Sequence, residues 1–395
     1  MRRGARGSGG PRVVIVSRLF TPEAAAAAFR LDAVAHAMVR SGAHVRVLTS
    51  RPRSTPSREH LDGVEVRRAR TLRGPDDYIR GYAQYLSFDV PAFARVLLQR
   101  PRPHVLLVEP PPTTGTFVRL AGTLRRIPYV YYAADVWSDA VQSAAVPRWV
   151  VAALRGVEGF ALRGAQVVLA VNDGVAQRAR DLGARDVRVV PNGVDTAVFT
   201  PVAHRDPQMP ERFLVYAGTA SEWQGAGIFL DAFEQLRSEF ADLHLVYLGG
   251  GTDMEDIAGR TVGDQRVHVL GQRDAPTAAH WQACAEAALV SVVPGRGYDF
   301  AYPTKVLAAL ACGTPVVFAG VGPAREDVRE AHLGAVADFD ATAVAAAIRT
   351  VLRAPRGPGD RLAPGRLRQW VLEHRSLEAT GRRAARVVLG VPPAR

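Results

Sequence analysis

The chain has 395 residues, 48% of them hydrophobic and 22% charged, which excludes both a disordered polymer and a membrane-embedded bundle. That length predicts about two domains, each able to bury its own core. The net charge of +12 favours anionic partners, among them nucleic acid, an acidic membrane surface or phosphorylated small molecules, and does not separate the three.

The pattern along the chain begins with a basic segment, residues 1–11, that has no periodicity and is expected to be flexible. From there, short β-branched runs alternate with longer Ala-, Leu- and Arg-rich stretches of helical period. Strands are expected at 12–16, 45–49, 105–109, 129–132, 167–171 and 187–190, and helices at 24–41, 114–125 and 174–182. A proline-marked connection at 201–210 precedes a second series. Its strands are expected at 213–218, 244–248, 267–270, 288–292 and 315–318, and its helices at 228–240, 275–284, 304–311 and 341–353. Such alternation predicts parallel sheets covered by helices on both faces. The expected class is therefore α/β, with two doubly wound, Rossmann-like domains at 12–200 and 201–362 and a ligand cleft between them. Residues 363–395 are expected to form one or two terminal helices that pack back on the first domain, with Trp370 as a packing residue. Cys284 and Cys312 lack CxxC spacing and sit in apolar surroundings, so both read as buried reduced thiols. No 18-residue apolar run occurs, and the apolar stretch after Arg12 is short for a signal peptide. A soluble or peripheral cytoplasmic protein is the expectation.

Of the 50 basic residues only Lys305 is lysine; the other 49 are arginine. A coding bias accounts for the general excess, yet it makes the exception a position of interest, because a compact ammonium and a planar guanidinium are not interchangeable. Asparagine is similarly scarce, at Asn172 and Asn192. The lysine follows Asp299, Tyr302, Pro303 and Thr304 and lies in the first turn of a helix that stops at Gly313. A cation there opposes the helix dipole and calls for an anion, which a diphosphate would supply. A solvated surface lysine is the alternative. Two glycine-bearing loops follow strands: Gly218 to Gly225, where Thr219, Ser221 and Gln224 offer neutral hydrogen-bonding groups, and Gly249, Gly250 and Gly251, which a plain tight turn explains equally well. In the first half, Asp135 and Trp137 follow a strand. The carboxylate is placed to orient a hydroxyl or to cap the next segment, and the indole offers a face for a sugar. Glu109, at another strand end, is a lesser candidate of the same kind.

These residues resemble a known family. Val189-Val190-Pro191-Asn192-Gly193-Val194-Asp195, followed by Phe199 and Pro201, is similar to the hinge motif of family 4 glycosyltransferases, retaining nucleotide-sugar enzymes of the GT-B fold. Phe20-Thr21-Pro22-Glu23, the two glycine loops, Val269-Leu270-Gly271, Pro303-Thr304-Lys305 and Gly313-Thr314-Pro315 agree in order and spacing over about residues 12–350. Asp135-Val136-Trp137, Gln224-Gly225 and Pro303-Thr304-Lys305 look most like the O-antigen and capsule branch. The resemblance implies transfer from a nucleoside-diphosphate sugar, UDP-linked and often N-acetylated, to a glycan, lipid-linked or small-molecule hydroxyl, without metal or cofactor. It places the base near Leu270, Gly271 and Gln272 and the diphosphate between the Gly218 loop and Lys305, and it makes Lys305 and Asp135 the catalytic candidates. Glu23, Glu109, Asp135 and Trp137 would face the acceptor, while arginines at the N-terminus and over 67–73 could hold anionic lipid at the inner membrane face.

The departures are specific. The family's two usual glutamates fall at Phe300 and Ala308, leaving Asp299 as a neighbouring carboxylate for the ribose, and the family's basic pair in the first loop is Thr219 and Gln224. Rival readings are a non-catalytic scaffold of the same fold and a nucleotide-sugar epimerase or phosphorylase. Scattered arginines without a recognised module argue against nucleic acid.

Overall fold

The computed structural model describes residues 10–23, 25–53, 55–74, 79, 81–138, 147–202 and 204–392, so residues 1–9 of the expected basic arm lie outside it. The chain divides into two compact units, Met1–Asn192 with Leu377–Arg395, and Gly193–Ser376.

In the first unit the strands are β1 (Arg12–Val16), β2 (His44–Ser50), β3 (Arg58–Leu61), β4 (Val64–Ala69), β5 (Val105–Val108), β6 (Tyr129–Ala133), β7 (Val167–Ala170) and β8 (Val187–Val189). The helices are α1 (Ala26–Arg40), α2 (Tyr82–Leu97), α3 (Pro112–Arg125), α4 (Arg148–Gly164), α5 (Asp173–Asp181) and, at the chain's end, α13 (Leu377–Leu389). They surround one sheet of order β3-β4-β2-β1-β5-β6-β7-β8, parallel except at the β3–β4 hairpin. The central strands are continuous apolar runs because both faces are covered: all four residues of β5 and of β7 are buried. Helix α13 packs on α1, and α2, α3 and α4 pack in a row.

The second unit contains β9 (Arg212–Ala217), β10 (Leu243–Leu248), β11 (Val267–Val269), β12 (Ala287–Val292), β13 (Val316–Gly320) and β14 (Gly334–Ala337). Its helices are α6 (Ile228–Glu234), α7 (Thr252–Arg260), α8 (Ala275–Cys284), α9 (Thr304–Ala311), α10 (Pro323–Glu330), α11 (Ala341–Arg353) and α12 (Pro364–His374). The sheet is wholly parallel in the order β11-β10-β9-β12-β13-β14. The strand order therefore reverses between β9 and β12, and the loops leaving their carboxyl ends splay apart to form a crevice. Local chemistry sets the helix starts: Asp274 accepts from the Thr277 N–H and Asp340 from the Ala343 N–H, each at 2.9 Å.

The structure departs from the sequence reading at several points. The β3–β4 hairpin was not anticipated, since its strands are charged; only Val64 and Val66 of β4 turn into the core. Helix α6 stops at Glu234 instead of 240, because the chain continues in tighter turns such as Leu236 N–H to the Phe233 carbonyl and Glu239 N–H to the Leu236 carbonyl. The boundaries fall at 192/193 and 376/377, and not at 200/201 and 362/363. Val194 pairs with Ser376, so the two passages of the chain lie side by side, and α12 stays in the second unit against α9. Cys312 is buried, but Cys284 is only half-buried. Asn172 is the cap of α5, accepting from the Val175 N–H at 2.8 Å. No helix among the described residues is long and apolar enough to cross a membrane.

Glu109 is the clearest correction. It is 3% exposed and ion-paired with the equally enclosed Arg30, whose Nη1 also donates to the Asn192 side chain at 2.9 Å. The carboxylate is committed to holding α1 and the Asn192 segment to the end of β5, so it is not open to an acceptor. Glu109→Ala should lower stability by roughly 3–5 kcal/mol, the usual cost of stranding one member of a buried pair. Urea unfolding checks this, and unchanged stability with a weakened acceptor KM would restore the binding role.

Candidate functional site

Lys305 is the second residue of α9, a helix whose N-cap, Pro303, provides no side-chain cap. The Val306 N–H donates to the Pro303 carbonyl at 3.1 Å, while the Thr304 and Lys305 N–H groups precede the first intrahelical acceptor and point out of the helix end. The lysine Nζ donates to the Tyr216 hydroxyl at 2.6 Å and to the Thr219 carbonyl at 3.0 Å, and it lies 3.9 Å from the Tyr216 ring centre. Tyr216 in turn donates to the same Thr219 carbonyl at 2.8 Å. Among the described residues no carboxylate forms an ion pair with Lys305; burial alone pushes its pKa down to about 7.

This ammonium opens on a cavity of about 870 Å³ at the crevice beside β9. The lining includes Gly218, Thr219, Trp223 and Gln224 from the first loop, Gly249 to Gly251 from the second, Gln272 and Arg273, and Tyr302 to Lys305 with Ala308. Glycine is required here by packing. A Cβ on Gly249 would stand 2.0 Å from the Gly218 carbonyl oxygen, and one on Gly251 would stand 2.2 Å from that of Ala220. The two loops thus lie backbone against backbone, with the Ala220 N–H bonded to the Gly250 carbonyl at 2.9 Å. Lys305 fills the space beside Gly218, its Cε 3.2 Å from where a Cβ would be.

The cavity gathers most of the expected donor residues, with corrections. Gln224 lines it, but its Oε1 folds back to accept from the Ser221 N–H at 3.2 Å and hydroxyl at 3.1 Å, bracing the loop. Thr219 contributes its carbonyl to the lysine. Leu270 packs against the core, and the Gly271 carbonyl accepts from the Gly249 N–H at 2.9 Å; neither lines the cavity, which leaves Gln272 and Arg273 at that end. Asp299 is also outside, its carboxylate accepting from the Gly295 N–H at 3.0 Å within its own loop. Tyr302 lines the cavity while its hydroxyl donates to Asp327 at 2.8 Å, and Arg375 lies 4.8 Å over its ring. Three participants escaped the sequence reading. Tyr216 and Asp327 give no signal beyond strand and helix positions, and Trp223 stacks on Tyr298 at 4.7 Å across a loop closure that no local pattern marks.

In the first unit, Asp135 lies on the turn after β6 and is exposed. The protein enclosing its carboxyl, and then Glu109 and Glu158, raise its pKa, against the opposite pull of Arg30 and Trp137. The capping role belongs to Glu158, which accepts from the Trp137 and Ser138 N–H groups at 2.9 and 3.0 Å. Trp137 meets Tyr85 edge-on at 5.7 Å. Glu23 is held by Arg73 at 3.0 Å. Among the described residues no group of three or more His, Cys, Asp or Glu is arranged to hold a metal ion.

Residues 24–193 match the family model described as a glycosyl transferase 4-like domain, and residues 211–354 match the one described as glycosyl transferases group 1. Each half of the chain is thus similar to a glycosyltransferase domain family. Among curated relatives, a GDP-mannose-dependent alpha-(1-6)-phosphatidylinositol monomannoside mannosyltransferase of Mycolicibacterium smegmatis is 30% identical over 220 residues, 52% of this chain and 57% of that protein. A D-inositol 3-phosphate glycosyltransferase of Stackebrandtia nassauensis is 35% identical over 197 residues, 46% of this chain and 44% of that protein. The chain thus spans about half the length of the curated relatives it matches. Among solved structures, sucrose-phosphate synthase from Thermosynechococcus elongatus has a TM-score of 0.67 at 19% identity, covering 95% of this chain and 98% of that one. HepE from Anabaena, in complex with UDP and glucose, has a TM-score of 0.62 at 16% identity, covering 96% and 99%. These likenesses, with the two parallel sheets, establish the GT-B fold.

The lysine also has a measurable effect on stability. Its folded pKa of about 7 lies below the ordinary 10.5, so the charged form is disfavoured in the folded state. Below pH 7 both folded and unfolded chains are protonated and the destabilisation is complete. It fades between pH 7 and 10.5 as the folded protein alone gives up its proton. Lys305→Met should therefore raise Tm most below pH 7, with the gain vanishing towards pH 10.5. A gain independent of pH would show that the lysine is not desolvated.

Proposed function

We propose that the chain is a retaining glycosyltransferase that moves a sugar from a nucleoside diphosphate to a hydroxyl of a glycan, glycolipid or small-molecule acceptor, with no metal or cofactor. The observation that carries this reading is Lys305: an ammonium at an uncapped helix N-terminus, facing a cavity and lacking a carboxylate partner. In the transfer, the bond between the anomeric carbon and the diphosphate oxygen breaks while the acceptor oxygen bonds to that carbon from the same face. The acceptor proton passes to the departing phosphate. Negative charge grows on the leaving group, so the lysine and the N–H groups of α9 bind the transition state more tightly than the ground state. Glycine loops let the diphosphate approach the backbone, and Gln272 and Arg273 supply polar contacts at the far end of the cavity. Asp135 is assigned the orientation of the acceptor hydroxyl.

UDP is the donor base of first choice, transferring a hexosyl or N-acetylhexosaminyl group, with a surface-polysaccharide intermediate at the inner membrane face as acceptor. GDP is the second reading, favoured by the relative whose name specifies GDP-mannose dependence. Calorimetry with UDP and GDP, followed by donor hydrolysis over a panel of nucleotide sugars, separates them. A chain that binds no nucleotide would be the non-catalytic scaffold. Sugar phosphate or epimer formed from donor alone would mark the other rivals.

Lys305→Ala should reduce kcat by about 10²-fold or more, the equivalent of losing roughly 2.7–4 kcal/mol of transition-state stabilisation. Lys305→Arg should also be impaired, since the longer planar head does not fit between Tyr216 and the Thr219 carbonyl. Near-normal turnover in the alanine variant would sink the assignment.

A further inference from the structure

The first unit holds a second recess, of about 380 Å³, lined by Arg51, Pro52, Arg53, Arg70, Thr71 and Arg73. Four of these six residues carry guanidinium groups and none a carboxylate. They come from the loops that follow β2 and β4, at the carboxyl ends of parallel strands, where doubly wound sheets hold their ligands.

The frame around the recess is built of internal bonds. Arg73 has a side chain only 7% exposed, and it is fixed by Glu23 at 3.0 Å and by the Ser50 hydroxyl. Ser50 itself donates to the Arg18 carbonyl at 2.6 Å, so the loops after β1, β2 and β4 are joined. Arg51 Nε donates to the Thr55 carbonyl at 2.8 Å. The neighbouring arginines turn elsewhere: Arg67 to Glu65 at 2.6 Å, and Arg68 to Glu59 at 2.7 Å and to the Thr21 carbonyl at 2.9 Å. Of the arginines over 67–73, Arg67 and Arg68 are therefore engaged with carboxylates of the β3–β4 hairpin. Arg70 is exposed, and the Thr71 hydroxyl oxygen is buried without a hydrogen-bond partner among the described residues.

Glu23 offsets Arg73, but the lining itself contributes no carboxylate, so an anion entering the recess meets an excess of guanidinium charge and can accept charge-assisted hydrogen bonds. A tetrahedral phosphate, with three terminal oxygens, can accept from more than one such fork, and the frame is already ordered, which limits the entropy lost on binding. We infer that this recess binds a phosphate group and that, on the glycosyltransferase reading, the acceptor carries it. The phosphate belongs either to a soluble phosphorylated acceptor or to a phospholipid headgroup.

The test uses the full chain with Lys305→Ala as background, so that the donor cavity does not contribute to phosphate binding. Calorimetry with inorganic phosphate and with glucose 1-phosphate, and flotation with phosphatidylglycerol or phosphatidylcholine vesicles, would be run with and without Arg51→Gln and Arg70→Gln. Each substitution should weaken the phosphate probes by roughly tenfold or more, as expected for a charge-assisted contact, with affinity falling as salt rises. Flotation with phosphatidylglycerol that is lost in the same variants assigns the group to a lipid; flotation that both variants retain assigns it to a soluble ester. Probes and vesicles that bind the variants as they bind the parent chain overturn the inference. Nucleotide binding to the chain with Lys305 intact is measured separately. A chain that takes phosphate but no nucleotide keeps this site and loses the glycosyltransferase reading, whereas the reverse result removes only the site.

Discussion

An ammonium enclosed by protein with no carboxylate beside it is unfavourable, and the second unit carries that cost at Lys305. Much of the local architecture exists to keep the group there. The parallel order of the sheet reverses between β9 and β12 and opens a crevice. The helix end at Pro303 lacks a side-chain cap. Gly218 leaves room for the lysine stem, and Gly249 and Gly251 let the adjoining loop close on it. Tyr216 and the Thr219 carbonyl accept from the ammonium without neutralising it. What results is a polar hollow with a net attraction for an anion, held by a core with no other use for the charge.

Several of the arginines are used in the opposite way. Arg266 donates to the carbonyls of Leu243, Arg237 and Phe240 at 3.0, 3.2 and 2.5 Å. Arg325 reaches those of Gly320 and Ala337, each at 2.6 Å, and Arg368 those of Phe199, Ala311 and Thr196. A guanidinium with five donors in a planar fork can satisfy several carbonyls at the ends of helices and strands at once. A composition set by coding bias has thus acquired structural work, and the net charge of +12 overstates the basic surface open to partners. The recess around Arg51 and Arg70 stands out against that background because its guanidinium groups share one cavity.

The sequence pattern carried the sheet strands well where both faces are covered, because a fully buried parallel strand is an unbroken apolar run, as in β5 and β7. It missed the β3–β4 hairpin, whose edge position allows charge on alternate residues; the Asp62-Gly63 pair, both at positive φ, was the available signal. The same split applies to the site. Lys305, Pro303 and the glycine loops are local features, legible as breaks in a pattern. The commitment of Glu109 to Arg30, 79 positions away, and of Asp299 to its own loop depends on tertiary placement. A carboxylate at a strand end looks alike whether it meets a ligand or a buried arginine.

Ala308 shows how one absent side chain changes the chemistry of the lysine. It stands three residues after Lys305 on α9 and lines the same cavity, so a glutamate there, as the resemblance leads one to expect, would lie on the same helix face within reach of the ammonium. Such a pair would keep the lysine charged at every physiological pH and would partly cancel its field. With alanine in that place, burial acts unopposed and the lysine loses its proton near neutrality. An anion entering the cavity would supply a counter-charge and draw the proton back on.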